Sequence, residues 1–306
     1  MKDLCVCILA HNEECNIAST VRSISDSCKG LHAETKVYAN GCTDATASIV
    51  QEMTREIPNL TLRELDIASK PNAWNIAFCE NNHDALVFSD GDVVPANKAV
   101  ETLYEVLTKE GQNIILAGCR YWPSWKGKSL EQRWTGFLQI PLNQDFLAGA
   151  LYGIRKKEFK ALLDHYRLSG IPGGLVGEDF FLEKIVPPDQ FKVIRNKVYY
   201  APPSWHDYCN YLARMQWQEE QLKEFYGHLL CDYAKGGGGR IKRFFKKISN
   251  PRGVNNFPLG LISSGMREGV KLLFRSKINQ CYAALGAINE NGVDVLREAT
   301  RSRSTK

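Results

Sequence analysis

The first ninety residues alternate short apolar runs with segments whose apolar positions recur at helical spacing. Cys5 to Ala10 is a continuous apolar run, which is typical of a strand buried on both faces. Beyond Asn12, apolar side chains follow one another three or four positions apart, which predicts a helix. Further strands are predicted at Lys36 to Ala39, Leu60 to Leu65 and Ala85 to Ser89, with helices between them. The pattern therefore predicts an α/β fold.

Strict alternation of strand and helix predicts right-handed crossovers and a Rossmann-like, mostly parallel central sheet. In such sheets the ligand binds beyond the carboxyl ends of the strands. Three polar clusters directly follow predicted strands: His11 to Glu14, Asn40 to Asp44, and Asp90 to Asp92. We expect these clusters to converge on one crevice. Farther along, the glycine-bearing segment Gly170 to Gly177 is predicted to be a mobile loop leading into Glu178 and Asp179.

The distribution of charge divides the chain near residue 235. Residues 235–306 hold fifteen Lys or Arg against four Asp or Glu, whereas residues 1–234 hold 24 basic and 30 acidic side chains. A helix is predicted over Asp207 to Leu230, and four glycines at 236–239 predict a hinge. We therefore expect one globular domain over 1–234 and a basic helical extension over 235–306. A polyanionic surface, either a membrane or a nucleic acid, is the partner that such an extension favours.

The segment from Arg240 to Ile248 places four apolar residues on one helical face and five Lys or Arg on the remainder. This pattern is typical of a helix that lies in the interface of an anionic membrane, although a helix packed on the protein's own body remains an alternative. No nucleic-acid fold signature is present, so no nucleic-acid partner is expected. Ten irregularly spaced cysteines, no bilayer-spanning apolar run and no standard secretory signal predict a cytoplasmic protein that is peripheral at the inner face of the membrane.

The segment Asp90-Gly91-Asp92 carries two carboxylates directly after an apolar strand. Two like charges this close repel, and a cation beside them relieves that repulsion. Carboxylate oxygens suit Mg²⁺ or Mn²⁺, which keep open positions for phosphate oxygens. The alternative is an ordinary Asp-Gly turn with two solvated acids.

Several motifs in order resemble glycosyltransferase family 2, whose members have the GT-A fold. The likeness rests on Ile8 to Glu14, Val37 to Asp44, the metal motif Asp90 to Asp92, the segment Gly149 to Arg155 and the pair Glu178-Asp179, and it covers roughly residues 4–217. It implies metal-dependent, inverting, hexosyl-type transfer from a nucleotide diphosphate sugar to a hydroxyl of a glycan or lipid-linked acceptor. Assembly of a bacterial-type surface polysaccharide or glycolipid is the expected setting.

The resemblance also implies a role for individual residues. Asp179 is expected to be the catalytic base, with Glu178 beside it holding the acceptor or the loop. Asp92 and Asp90 are expected to bind Mn²⁺ or Mg²⁺. The residues expected to bind the donor are Ala10, Asn12, Glu14, Asn40, Lys70, Asn75, Asp90, Gly91 and Arg214.

Two departures from the family pattern bear on the donor and on the product. Members that read uracil often have an acidic pair where this chain has Ala39-Asn40, so a uridine nucleotide is not assumed. Processive members carry Gln-x-x-Arg-Trp, which Arg214 and Trp217 only approximate. A non-catalytic protein that binds nucleotide sugar or nucleic acid remains as an alternative. A nucleotidyltransferase is disfavoured because no glycine-rich phosphate loop with a basic residue follows the first strand. Dehydrogenases and ATPases are disfavoured because neither fingerprint occurs.

Overall fold

A computed structural model describes residues 4–109, 111, 113–140, 144–215, 217, 218 and 221. Its strands are β1 (Leu4–Ala10), β2 (Ala33–Asn40), β3 (Leu60–Leu65), β4 (Ala85–Asp90), β5 (Val93–Pro95), β6 (Leu116–Pro123), β7 (Leu151–Arg155) and β8 (Phe191–Tyr200). Its helices are α1 (Ile17–Ser27), α2 (Thr46–Met53), α3 (Lys70–Glu80), α4 (Ala99–Thr108), α5 (Leu130–Gln139), α6 (Lys156–His165) and α7 (Glu178–Ile185). Residues 205–215 are also helical.

The eight strands form one sheet in the order β3-β2-β1-β4-β7-β6-β8-β5. The first four of these run parallel, with Leu4 opposite Ala33 on one side and Ala85 on the other. Helices α1, α2 and α3 connect them. The predicted α/β fold with a mostly parallel central sheet is therefore confirmed. The second strand begins at Ala33, three residues before its predicted start, because Ala33 and Thr35 are buried against β1 and β3.

The remainder of the sheet departs from simple alternation. β7 runs antiparallel between β4 and β6, although it comes later in the chain than either. β6 and β8 pair in parallel, and the short β5 closes the edge by pairing antiparallel with β8. This inserted strand brings Gly149 and Ala150, which precede it, to the end of β4: the amide of Asp90 donates to the carbonyl of Ala150 at 3.0 Å.

Every residue of β1 is buried, and its side chains alternate between two apolar cores. Val6 and Ile8 pack with α1 and α4 on one face of the sheet. Cys5, Cys7 and Leu9 pack on the other face with an aromatic cluster that includes Trp74, Phe88 and Phe159. A strand covered on both faces explains why its sequence is continuously apolar rather than alternating.

The predicted basic extension over 235–306, with the segment Arg240 to Ile248, lies outside the described residues. The predicted helix over Asp207 to Leu230 is present in its described part, beginning two residues earlier at 205. In the part of the chain that is described, no helix has both the length and the apolar character needed to cross a bilayer.

Candidate active site

The ends of β1 and β2 are tied together by side chains of the first two polar clusters. The side-chain amide of Asn40 donates to the carbonyl of Ala10 at 2.7 Å, and His11 Nδ1 lies 2.6 Å from the carbonyl oxygen of Asn40. Asn40 and Ala10 are both buried. The structure thus places the two clusters side by side, and the Asn40 amide donor is engaged within the protein.

A second set of contacts joins the loops beyond these strands. Asn12 has a positive φ of 53°, a conformation that asparagine tolerates, and its side-chain oxygen accepts from the amide of Thr43 at 2.8 Å. Glu14 uses both backbone and side chain: its amide donates to Asp44 Oδ2 at 3.0 Å, and its Oε2 accepts from the amide of Ala45 at 3.0 Å. The loops after β1 and β2 therefore form one braced rim.

The third cluster, Asp90-Gly91-Asp92, lies against the end of β1. A Cβ placed on Gly91 would be 3.0 Å from the Cβ of Ala10 and 3.1 Å from Cγ of Glu13, which is tighter than most side-chain contacts, so this close approach favours glycine. Asp90 and Asp92 are both partly exposed at the rim. All three predicted clusters accordingly meet at one edge of the sheet.

Lys70 connects this edge to the predicted catalytic pair. It is the first residue of α3, and its Nζ lies 2.6 Å from Asp90 Oδ1 and also contacts Glu178 Oε1. Both the Lys70 and Glu178 side chains are buried. The buried ammonium compensates part of the charge of the two carboxylates, and without Lys70 the buried Glu178 carboxylate would lose its cationic partner. The ion pairs hold the first turn of α7 at the end of β4.

Asp179 lies beside this ion pair at the start of α7. Its Oδ2 accepts from the amide of Gly149 at 3.0 Å and its Oδ1 from the amide of Phe180 at 2.9 Å. Burial and the neighbouring charge of Glu178 raise the pKa of Asp179 from 3.8 to about 6, although Lys70 and the two amide donors oppose the shift. The carboxylate is thus ionised at neutral pH, yet more basic than an ordinary aspartate.

Asn75 braces the loop that precedes the pair, through a two-way hydrogen bond. Its Nδ2 donates to the carbonyl of Ile171 at 2.8 Å, and its Oδ1 accepts from the amide of Ile171 at 2.7 Å. A Cβ on Gly170 would lie 2.3 Å from that Oδ1, so the loop approaches Asn75 closely. Both ends of the Asn75 amide are therefore engaged in holding the loop that leads to Asp179.

Two glutamines that the sequence analysis did not identify hold the same loop. Both are helical residues that follow the helix over 205–215. Gln221 Oε1 accepts from the amide of Val176 at 2.9 Å, and its Nε2 donates to the carbonyl of Gly174 at 3.1 Å. Gln218 Nε2 donates to the carbonyl of Gly177 at 3.2 Å and reaches Asp179 Oδ1 at 3.5 Å. The segment predicted to be a mobile loop is thus tied at several points.

Arg214 lies half-buried on the helix over 205–215, whose apolar face packs on Leu138 of α5. Tyr121 of β6 and Tyr200 of β8 stack with ring centroids 3.7 Å apart. Burial raises the pKa of the Tyr121 hydroxyl, and the charges of Tyr200, Asp92 and Asp90 raise it further. Both rim aspartates therefore act on the hydroxyl of Tyr121, a residue that no sequence motif indicated.

The chemistry of Asp90 and Asp92 fits a hard divalent cation. Mg²⁺ and Mn²⁺ take oxygen ligands and are commonly held by one or two carboxylates together with water and substrate phosphates. Both aspartates are partly exposed at the strand end, so a diphosphate can approach them. The pairing of Asp90 with Lys70 fixes one carboxylate oxygen and leaves the other as a ligand.

Comparison with known proteins bears directly on this arrangement. A profile of the family described as "Glycosyl transferase family 2" matches residues 5–160, which is half of the chain. The chain belongs to glycosyl transferase family 2. The match includes the three strand ends and Lys70, while Glu178 and Asp179 lie beyond it. No curated protein matches the chain.

Solved structures of this fold include a mannosyltransferase from Pyrobaculum calidifontis, in complex with GDP-Man and Mn²⁺, that is 18% identical to this chain. That alignment covers 98% of this chain and 79% of the other with a TM-score of 0.54, which shows the GT-A fold. S. aureus TarS with UDP-GlcNAc is 14% identical, with 98% and 92% covered and a TM-score of 0.49. Glucosyl-3-phosphoglycerate synthase from Mycobacterium tuberculosis is 19% identical, with 71% and 78% covered and a TM-score of 0.45.

The expected fold and family are therefore confirmed, and the chain is a glycosyltransferase of family 2. The structure brings nine predicted residues into one set of contacts: Ala10, Asn12, Glu14, Asn40, Lys70, Asp90, Gly91, Glu178 and Asp179. Asp92 follows Gly91 at the same rim and, like Asp90, raises the pKa of Tyr121, and Asn75 braces the loop that leads to Asp179.

Proposed function

We propose that this enzyme transfers a sugar from a nucleotide diphosphate sugar to a hydroxyl group with inversion at the sugar carbon. Asp179 acts as the base. One observation carries the proposal. Lys70 contacts both Asp90, where the diphosphate would bind, and Glu178, which precedes Asp179, so that all three carboxylates lie at one crevice. The crevice lies beyond the carboxyl ends of parallel strands, where ligands of such sheets bind.

In this mechanism the ionised Asp179 accepts the proton of the acceptor hydroxyl as its oxygen bonds to the sugar carbon. The bond from that carbon to the diphosphate breaks, and the electron pair leaves with the diphosphate. A pKa of about 6 keeps Asp179 ionised at pH 7 while making it a better proton acceptor than a solvated aspartate. The amide donors of Gly149 and Phe180 hold the carboxylate in place during the transfer.

Asp90 and Asp92 would hold Mn²⁺ or Mg²⁺. The bound cation supplies positive charge that stabilises the departing diphosphate. The P. calidifontis mannosyltransferase structure contains GDP-Man and Mn²⁺, which supports this assignment. Within the protein, Lys70 orients Asp90 by its ion pair, and Gly91 lets the motif lie close to β1.

The donor-side rim consists of the braced loops after β1 and β2. Because the Asn40 amide donates to Ala10, we propose that Asn40 shapes the nucleotide site rather than donating to a base edge. Asn12 and Glu14 hold that rim by their contacts with Thr43 and Ala45. The acceptor that we propose is a glycan or a lipid-linked saccharide at a membrane, in line with the basic sequence of residues 240–248.

A panel of nucleotide diphosphate sugars, with and without Mn²⁺ or Mg²⁺, tests the proposal. One donor should raise the unfolding temperature, and it should do so only when metal is present. At 100 times its dissociation constant, a ligand adds about 2.7 kcal/mol to the free energy of unfolding, which is large enough to detect. Asp92→Asn should remove the metal-dependent rise, and Asp179→Asn should keep it while abolishing transfer. An Asp179→Asn enzyme with undiminished transfer would remove Asp179 from its role.

A further inference from the structure

Three potential metal ligands meet at the edge of the sheet opposite the active site. Cys5 on β1 and Glu34 on β2 are direct neighbours in the parallel register. His83 lies in the segment between α3 and β4, two residues before β4 begins. The Sγ of Cys5, a carboxylate oxygen of Glu34 and a ring nitrogen of His83 all lie within 4.8 Å of one another.

The distance between two of these ligands already matches a tetrahedral site. Zinc bonds of about 2.0–2.1 Å to nitrogen and oxygen place two such ligands about 3.3–3.4 Å apart. His83 Nε2 lies 3.5 Å from Glu34 Oε2. The Cys5 sulfur completes the set after a small side-chain adjustment, since zinc–sulfur bonds are longer, about 2.3 Å.

The mixture of ligands selects the metal. We propose that Cys5, Glu34 and His83 form a zinc site that is separate from the catalytic centre. Thiolate and imidazole favour zinc over Mg²⁺, Mn²⁺ and Ca²⁺, which prefer oxygen. Three protein ligands leave one tetrahedral position for water. The Glu34 and His83 side chains are 27% and 12% exposed, which gives the ion a path to the buried Cys5.

The position of the site gives it a structural role. From Cys5 to Ala10 the chain rises about 16 Å along β1, so zinc at Cys5 does not contact the donor crevice. The ligands already have contacts without metal: Glu34 Oε2 lies 3.5 Å from His83 Nε2 and 3.8 Å from Lys36 Nζ, and Cys5 Sγ donates to Asn81 Oδ1 at 3.5 Å. Zinc would replace them with bonds that fasten β1, β2 and the segment before β4.

The test uses the full-length protein, stripped of metal with a chelator and titrated with Zn²⁺ or with Co²⁺ as its coloured substitute. Zinc should raise the unfolding temperature, and cobalt should give the ultraviolet absorption band of a cobalt–thiolate bond. His83→Gln should weaken zinc binding at least tenfold, as should Cys5→Ser, which should also abolish the thiolate band. Neither readout depends on glycosyl transfer, so the zinc site and the proposed function stand or fall separately.

Matched controls identify the thiol and the site. Cys42 lies at the active-site edge, so Cys42→Ser should keep the cobalt–thiolate band, and Asp92→Asn should keep the effect of zinc on the unfolding temperature. If Cys5→Ser does not fold, His83→Gln decides, because His83 lies outside the strands. An undiminished thiolate band in Cys5→Ser, unchanged zinc affinity in His83→Gln, or no stabilisation of the wild type by zinc would each overturn the proposal.

Discussion

Replacement of Asp179 by asparagine should abolish transfer and, at the same time, stabilise the folded protein in a pH-dependent way. The pKa of Asp179 rises from 3.8 to about 6 on folding because burial and Glu178 disfavour its charge. The folded state therefore holds this proton more tightly than the unfolded state. The contribution to stability is fully present below about pH 4 and is lost as pH rises to about 6.

The size of this effect on the free energy of unfolding follows from the shift in the pKa of Asp179. One pKa unit corresponds to about 1.4 kcal/mol, so a shift of roughly two units costs the wild type about 3 kcal/mol once Asp179 is ionised. Asparagine has a similar shape and no charge, so the variant does not lose this energy. Its altered hydrogen bond to the Gly149 amide adds an offset that is constant with pH and cancels when the two pH profiles are compared.

The assay is urea unfolding of the wild type and of Asp179→Asn at half-unit steps from pH 4 to pH 8. The stability of the wild type relative to the variant should fall by about 1.4 kcal/mol per unit up to pH 6 and then level off. Asp189→Asn is the matched control, because it makes the same exchange of carboxylate for amide at an exposed position. Parallel profiles for wild type and Asp179→Asn would refute the reasoning.

The rate of transfer by the same variant provides a second measurement. Transfer by the wild type should decline below about pH 6 as Asp179 takes up a proton. Asp179→Asn should be about 10²–10⁴-fold slower above that pH, and the difference should shrink as the pH falls below it. Donor binding should persist, which separates loss of the base from loss of the fold. A buried charge kept for chemistry at a cost to stability is a common compromise at active sites.

Three further substitutions test the architecture around the site. Gly91→Ala should lower the free energy of unfolding by about 1–3 kcal/mol through the clash with Ala10, whereas Gly173→Ala, which has open space around it, should be neutral in the same urea titration. Asn75→Leu should cost about 2–4 kcal/mol and most of the transfer rate, because both Ile171 backbone groups lose their partner. Gln218→Met removes a weak hydrogen-bond donor to Asp179, the proposed base, and should therefore move the acid limb of the pH–rate profile upward by about half a pH unit. If the acid limb does not move, the role of Gln218 is limited to holding the loop.

The polar clusters after β1, β2 and β4 could be predicted from sequence because two local signals suffice. Apolar runs of strand length give the strands, and parallel connection puts their carboxyl ends at the same edge. Asn40 and Asp90 were placed correctly for this reason alone. The inserted β7 could not be predicted this way, because its neighbours β4 and β6 are chosen by long-range packing rather than by chain order.

The use made of each polar side chain was harder to predict than its location. Asn75 and Ile171 are 96 positions apart, and no local pattern in either segment indicates that they bond. The same holds for Gln218 and Gln221, which occur on an ordinary amphipathic helix and are distinguished only by the loop that packs against it. An amide side chain can serve backbone or ligand equally well, so its role depends on what the fold brings near.

The electrostatics of the crevice explain why one lysine matters so much to it. Glu178, Asp179 and Asp90 all act on the buried Tyr152 hydroxyl and raise its pKa, after burial itself, so the three charges share one small volume. Lys70 contacts two of them and lowers the pKa of the third. These three carboxylates and one lysine, together with Asp92, carry net negative charge, which repels a diphosphate. In the proposed function, a divalent cation at Asp90 and Asp92 would offset this negative charge on the donor side. Asp179, which follows Glu178 in α7, would remain a proton acceptor on the other side. The same lysine therefore compensates part of the charge of the acidic cluster and lies between the carboxylate proposed to bind metal, Asp90, and the pair that contains the proposed base, Asp179.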